Sequence, residues 1–245
     1  MTQTEQHLRI QLAACYRLVA HFGMDDLIYN HISVRLPGPD HHFLINPYGL
    51  FFPEITASSL IKIDLDGNAL ERSDYEVNRA GFVIHSAIHA AREDAICVLH
   101  THSDAATALS ALEEGLQPVS QFAMHFWNRL GYHAYEGVAL DTDERTRLVR
   151  DLGPHQVMVL RNHGILAAGR TIPEAFMLAY YFERAARIQL MAQGSGSKLL
   201  LPPEAVSEKA ARQFNQCEGD IRLRGEREWP AFIRLLDKLD PSYRQ

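Results

Sequence analysis

His100 and His102, separated only by Thr101 at the end of the apolar run Ala95-Ile-Cys-Val-Leu99, are the residues here best suited to chemistry. An apolar, partly β-branched run of this length reads as a buried strand. Side chains alternate along a strand, so both imidazoles share one face and Thr101 takes the other. A second strand-like run, Val157-Met-Val-Leu160, meets Arg161-Asn-His-Gly164 and continues as Ile165-Leu-Ala-Ala168. That pattern predicts a hairpin with His163 at its turn and a permissive backbone at Gly164. Three imidazoles on strand ends, without a thiolate, suit one divalent ion with a coordination position left open. Zinc fits first, and iron(II) or manganese fit the same donors. An open position marks catalytic rather than structural metal. The chain holds 13 histidines, so the weight rests on the joint pattern. His7, His21 and His155 read as ordinary surface or packing residues, and His41 and His42, beside a turn, as exposed.

The surrounding elements must position these histidines. Apolar residues from Thr4 to Phe22 recur at helical spacing, with Gly23 as the stop. Alternating runs at 31–36 and 42–46, joined by the turn-rich Pro37-Gly-Pro-Asp40, predict a hairpin, and 58–65 a further strand before Asp66-Gly67. A helix over 80–92 carries Phe82, Ile84, His85, Ile88 and His89 on neighbouring faces and feeds the His-Thr-His strand. Ser103 is placed to cap a helix over 104–112. The segment 121–128 reads either way, 131–135 as a short strand, 141–153 as a helix, and 173–193 as a long helix opened by Pro173. Gly194-Ser-Gly-Ser197 has linker composition. Beyond it runs a helical tail, broken near Gly225, whose last helix (227–239) has a stripe of Trp229, Phe232, Leu235 and Leu236. The tail is too thinly apolar for its own core. The expected division is therefore a domain over 1–194 and a helical extension over 195–245, packed on that domain or on a neighbouring subunit. Strands interspersed with helices predict a layered α/β/α fold, with hairpins making the sheet mixed or largely antiparallel.

At 245 residues, 47% hydrophobic and 22% charged, the chain has an ordinary globular composition. A net charge of −6 and no basic stripe give no electrostatic basis for binding nucleic acid. No apolar run reaches membrane-spanning length, and the first residues lack the pattern of a signal peptide. Cys15, Cys97 and Cys217 have no paired spacing, which favours a reducing cytoplasm over a disulfide framework.

Four segments together resemble the class II aldolase/adducin family. They are Asn30-His-Ile-Ser-Val-Arg35, the turn Pro47-Tyr-Gly49, the strand with His100-Thr-His102, and the turn Asn162-His-Gly164, in that order. Val77-Asn-Arg-Ala-Gly-Phe-Val-Ile-His85 through Arg92 and Leu160-Arg-Asn-His-Gly164 are similar to the adducin branch. The ending, Arg227-Glu-Trp-Pro230 to Asp240-Pro-Ser-Tyr243, resembles bacterial adducin-like members. The resemblance implies a three-layer α/β/α sandwich around a mostly antiparallel sheet and frequent tetramers with active sites at subunit interfaces. It also implies one divalent metal per chain, usually zinc, on His100, His102 and His163, and a substrate-anion loop at Asn30.

Two departures bear on function. Aldolases of the family carry a catalytic glutamate four residues before the histidine matching His85, where this chain has Gly81. They carry phosphate-binding serines just ahead of it, where Arg79-Ala80 stand here. Without that carboxylate, ordinary phosphosugar aldol cleavage is not expected, because general acid–base help is worth about 10²–10⁴-fold. One reading is a metal-dependent lyase-type enzyme acting on a small oxygenated anion. Arg79 would hold a carboxylate bidentately and His85 would serve as acid or base. The other reading is an inactive adducin-like scaffold that contacts a protein partner of the actin-cytoskeleton kind.

Overall fold

Alternation along two neighbouring strands sets the layers. In the computed structural model, described for residues 2–137, 143–215 and 224–245 with the side chains of 79 and 80 excepted, β1 (His31–Arg35) pairs antiparallel with β4 (Cys97–Thr101). Ile32 and Val34 of β1, with Cys97 and Leu99 of β4, face one side and join its core. Val98 faces the opposite core. His31, Ser33 and His100 share that second side by the same period of two.

The first side is covered by α1 (Gln3–His21), α3 (Asp104–Ser110) and α6 (Ile172–Gly194). The second is covered by α2 (Arg79–Ala91) and α5 (Glu144–Leu152), whose Ile84, Ile88, Leu148 and Leu152 pack against Val98, Met158, Leu160 and Leu166. Between the layers, the described residues form a seven-stranded sheet ordered β3-β2-β1-β4-β7-β6-β5. Its other members are β2 (Phe43–Ile45), β3 (Ile61–Ile63), β5 (Leu130–His133), β6 (Val157–Leu160) and β7 (Gly164–Gly169). Every pair is antiparallel except β5 with β6, which α5 joins as a parallel crossover. The fold is thus the mostly antiparallel α/β/α sandwich that the sequence implied.

Two local expectations need correction. The strand expected over 58–65 shrinks to Ile61–Ile63. Side chains on both flanks recruit the backbone into turns instead: Thr56 and Ser59 exchange amide-to-hydroxyl bonds of 2.9 and 3.2 Å. Asp64 Oδ1 accepts from the amides of Asp66 and Asn68, both at 2.9 Å. Ser103 does precede α3, but its hydroxyl donates to Glu183 Oε2 at 2.7 Å rather than capping the helix. That same carboxylate oxygen accepts from Ala106 N at 2.9 Å, so α6 supplies the negative cap. The ambiguous 121–128 segment contains a one-turn helix, α4 (Gln121–Met124).

The C-terminal segment contains α7 (Glu204–Asn215) and α8 (Trp229–Leu239). Trp229 packs edge-on to Phe176 of α6 with ring centroids 5.9 Å apart, and Phe232 lies 5.8 Å from Phe22. Arg17 pairs with Asp240 at 3.0 Å, and Ala57 N donates to Tyr243 O at 2.9 Å. The tail therefore packs on α1 and α6 of its own chain. Cys15 and Cys97 are buried free thiols, and Cys217 lies outside the described residues.

Candidate metal centre

β4 ends at Thr101, and the β6–β7 hairpin turns beside it because β7 pairs with β4 from Cys97 through Thr101. Asn162 adopts a left-handed φ of 57°, and the next-but-one residue is Gly164 at φ 154°. A Cβ on Gly164 would lie 2.2 Å from Thr101 O, so only glycine lets the turn close over the strand end. His163, between these two residues, is thereby delivered to His100 and His102.

The Nε2 atoms of His100 and His102 lie 2.9 Å apart, and those of His102 and His163 lie 3.0 Å apart. The donor set also fits a cation in its proton positions. His100 Nδ1 sits 2.8 Å from Ile165 O, a pure acceptor, so this nitrogen carries the proton and donates it. His102 Nδ1 donates in the same way to Asp26 Oδ2 at 2.9 Å. Both Nε2 atoms then present lone pairs to one another, an arrangement that a shared cation satisfies. Such outer-sphere acceptors are the usual means of fixing a metal-binding imidazole. Burial first, then His102 and His133, holds the His163 ring down at about 4, so it is neutral and able to ligate at neutral pH. Asp26→Ala is expected to lower metal affinity about 10–100-fold while leaving the fold intact. Competition against a chromogenic chelator measures this, and an unchanged affinity would count against the orienting role.

Behind the triad runs a file of buried polar side chains. His89 Nδ1 donates to Ala95 O at 2.8 Å, leaving His89 Nε2 to accept from Ser33 Oγ at 2.7 Å. Ser33 Oγ accepts in turn from His85 Nδ1 at 2.6 Å, so His85 Nε2 accepts from His31 Nδ1 at 2.8 Å. Followed to its end, the file leaves His31 Nε2 as a lone pair that no hydrogen bond among the described residues engages. The His31 ring lies 4.9 Å from that of His100. A Cβ built on Gly81 would lie 2.5 Å from His31 Cδ2 and 2.8 Å from Nε2. An imidazole therefore fills the space beside Gly81, the position that the family resemblance matches to a glutamate.

The structure separates the residues expected at the site. His100, His102 and His163 converge. His85 is buried, with both ring nitrogens committed to His31 and Ser33. Asn30 is fully buried next to His31, and neither amide atom has a partner among the described residues. Arg79 opens α2, and its side chain lies outside the described residues. His41 is exposed and His42 half-buried. His41 Nδ1 lies 3.2 Å from Arg35 Nη1, and Arg35 also donates to His89 O, so His41 touches the file only through that arginine. His31, Ser33, His89 and Asp26 were missed. The first three carried a signal: a period of two in His31-Ile-Ser33 faces a period of four in His85 and His89.

Burial is the first cause that pushes His31, His85 and His89 down, to about 3 for His89. Above pH 6.5 these rings are neutral whether the chain is folded or unfolded. Below it, the unfolded chain takes up protons that the folded chain refuses until near pH 3 at His89. Stability is accordingly expected to fall with acidification by about 1.4 kcal/mol per pH unit for each such ring. Urea midpoints at pH 7 and pH 5 check the sign, and equal midpoints would contradict it.

A mostly antiparallel α/β/α sandwich with a three-histidine centre at the end of its central strand defines the protein's class. Residues 10–190 match the model of the Class II Aldolase and Adducin N-terminal domain, and the chain belongs to that family. It is 49% identical over 244 residues to a Caulobacter vibrioides relative named for aldolase class 2, covering 99% of this chain and 94% of that one. It is 40% identical to alpha-adducin of Rattus norvegicus over 96% of this chain, which spans only 34% of that longer protein. Among solved structures, an aldolase II superfamily protein from Pseudomonas syringae superposes with a TM-score of 0.93 at 46% identity, covering 100% of this chain and 98% of that one. L-fuculose 1-phosphate aldolase from Glaciozyma antarctica superposes with a TM-score of 0.81 at 26% identity, covering 100% and 96%. No helix among the described residues is long and apolar enough to cross a membrane.

Proposed function

We propose that this chain is a divalent-metal-dependent, lyase-type enzyme acting on a small oxygenated anion that bears a carboxylate. The observation that carries the reading is the convergence of three Nε2 atoms, two of them with their Nδ1 protons fixed on Ile165 O and Asp26. His100, His102 and His163 would hold the ion, with zinc the best fit and iron(II) or manganese compatible. When bound, such an ion supplies Lewis-acid polarisation of a substrate oxygen. The chain's own groups do the rest. Asn30 offers a buried amide whose unpaired donor and acceptor a substrate would satisfy; left alone, such groups cost about 1–3 kcal/mol. His31 presents a lone pair beside Gly81, and His85 acts through it by fixing its tautomer. Arg79 binds the carboxylate as a planar fork.

Gly81 sets the reading apart from ordinary phosphosugar cleavage. Arg79→Ala is expected to weaken a carboxylate ligand by about 1.5–3 kcal/mol, and Arg79→Lys to recover part of it. Titration of the metal-loaded protein with small hydroxy- and oxo-carboxylates tests this. Efficient turnover of L-fuculose 1-phosphate, unaffected by Arg79→Ala, would overturn it. We place the enzyme in the cytoplasm as a homotetramer, with no nucleic-acid or membrane partner. The similarity to alpha-adducin, together with the missing glutamate, favours one second reading: a scaffold that keeps the fold and binds a cytoskeletal protein. Natively purified protein without metal, and without ligands in that screen, would support it instead.

A further inference from the structure

At the end of β6 opposite the His163 turn lies a cavity of about 230 Å³. Its polar lining comes from His125, Arg129, His155, Gln156, Asn215 and Arg224. Pockets for drug-sized ligands run roughly 300–1,000 Å³, so this one suits a small ion or metabolite. Its walls are held in place. The His125 ring stacks on Phe214 with centroids 3.6 Å apart and on Tyr181 at 4.9 Å. Asn215 Nδ2 donates to His125 O at 3.0 Å, and Asn215 Oδ1 accepts from Arg224 Nη2 at 2.7 Å. Arg129 is braced by Glu208 at 2.9 Å and by Trp127 O at 2.6 Å.

One atom in this frame is left over. His125 is 9% exposed, and its Nδ1 has no hydrogen-bond partner among the described residues. Buried nitrogens are rarely left so, because the lost hydration is not recovered. We propose that this cavity is an oxyanion site, separate from the metal centre, for a small carboxylate or phosphate, with Arg129 and Arg224 as its cations and His125 Nδ1 as a donor. The local field agrees with an anionic occupant. After burial, Arg224 is what lowers His125, to about 3, and Arg129 and Arg92 are what lower His155. A neutral His125 keeps one N–H to give to such an anion.

Calorimetric titration of the full chain with inorganic phosphate and, separately, with malonate tests the assignment. Wild type is expected to bind one anion per chain saturably at this cavity, in addition to any carboxylate taken at the metal centre, and the tighter probe at the cavity identifies phosphate or carboxylate as the natural chemistry. Arg224→Gln should weaken binding about tenfold, as loss of one charge-assisted hydrogen bond does. His125→Phe keeps the stack on Phe214, removes Nδ1 and should weaken binding too; it serves where the arginine variant folds poorly. His163→Ala should keep the cavity's anion and lose only what the metal centre binds. Absence of saturable binding at millimolar phosphate and malonate would overturn the proposal. So would binding that survives Arg224→Gln and His125→Phe but is lost in His163→Ala, since the anion would then sit at the metal centre.

Discussion

His163→Ala is expected to strip the chain of its metal. Two imidazoles remain, and the ring nitrogens of His100 in β4 and of His102 just past its end enclose an ion from one side only. The loss should exceed the roughly 10–100-fold that removal of an outer hydrogen-bond partner costs. The fold should survive, because His163 sits in a half-buried turn and its backbone bond from Thr107 Oγ1 to His163 O, at 3.3 Å, does not need the ring. His155→Ala, ahead of the same hairpin, is the control and should leave metal content unchanged. Elemental analysis of the three proteins after dialysis against a weak chelator decides the matter. Equal metal in wild type and His163→Ala, or none in either after reconstitution, would defeat the three-histidine assignment.

Gly81→Glu, which places a glutamate where the family resemblance implies one, is expected to damage the protein rather than improve it. The new Cβ would stand 2.5 Å from a carbon of the His31 ring. That ring cannot swing away freely, being 3% exposed and bonded to His85 at 2.8 Å. Overpacking of this kind costs about 1–3 kcal/mol. Removing the obstacle in Gly81→Glu/His31→Ala should recover stability, giving a coupling of about 0.5–3 kcal/mol between the two sites. Urea denaturation of the two single variants and the double one measures it. Additive effects would mean that the two positions do not compete for one space. The double variant is also the form in which to look for sugar-phosphate cleavage, since it alone gives the carboxylate room.

These two cases mark what the sequence could convey. The triad was legible because each of its parts is local: a period of two puts His100 and His102 on one face, and a glycine turn presents His163. The layered α/β/α class was legible from strands interspersed with helices. What could not be read was pairing across the chain. The register that sets His31 opposite His100 belongs to the β1–β4 ladder, whose strands are far apart in sequence. Nothing near Gly81 announces that an imidazole from β1 will lie on it. Asp26 sits in an irregular stretch beside Leu27, which takes a φ of 45°, and periodicity has no hold there. The overlong strand at 58–65 failed for a different reason, since Thr56, Ser59 and Asp64 offer the backbone competing local bonds. Ser103 was the right residue type in the right place, but a buried carboxylate from α6 took over the capping.

The position of β4 in the sheet has a kinetic consequence. Both of its neighbours, β1 and β7, lie distant in sequence on opposite sides of it. Pairings of that kind raise contact order and delay the central strands relative to helices and hairpins. The β6–β7 hairpin can form early, but His163 then faces no partner until β4 docks against β7. An ion therefore has nothing to template while the chain is still searching for its topology. Under the proposed assignment an ion would bind the finished sheet, stabilise it by mass action, and act by slowing unfolding rather than by hastening folding.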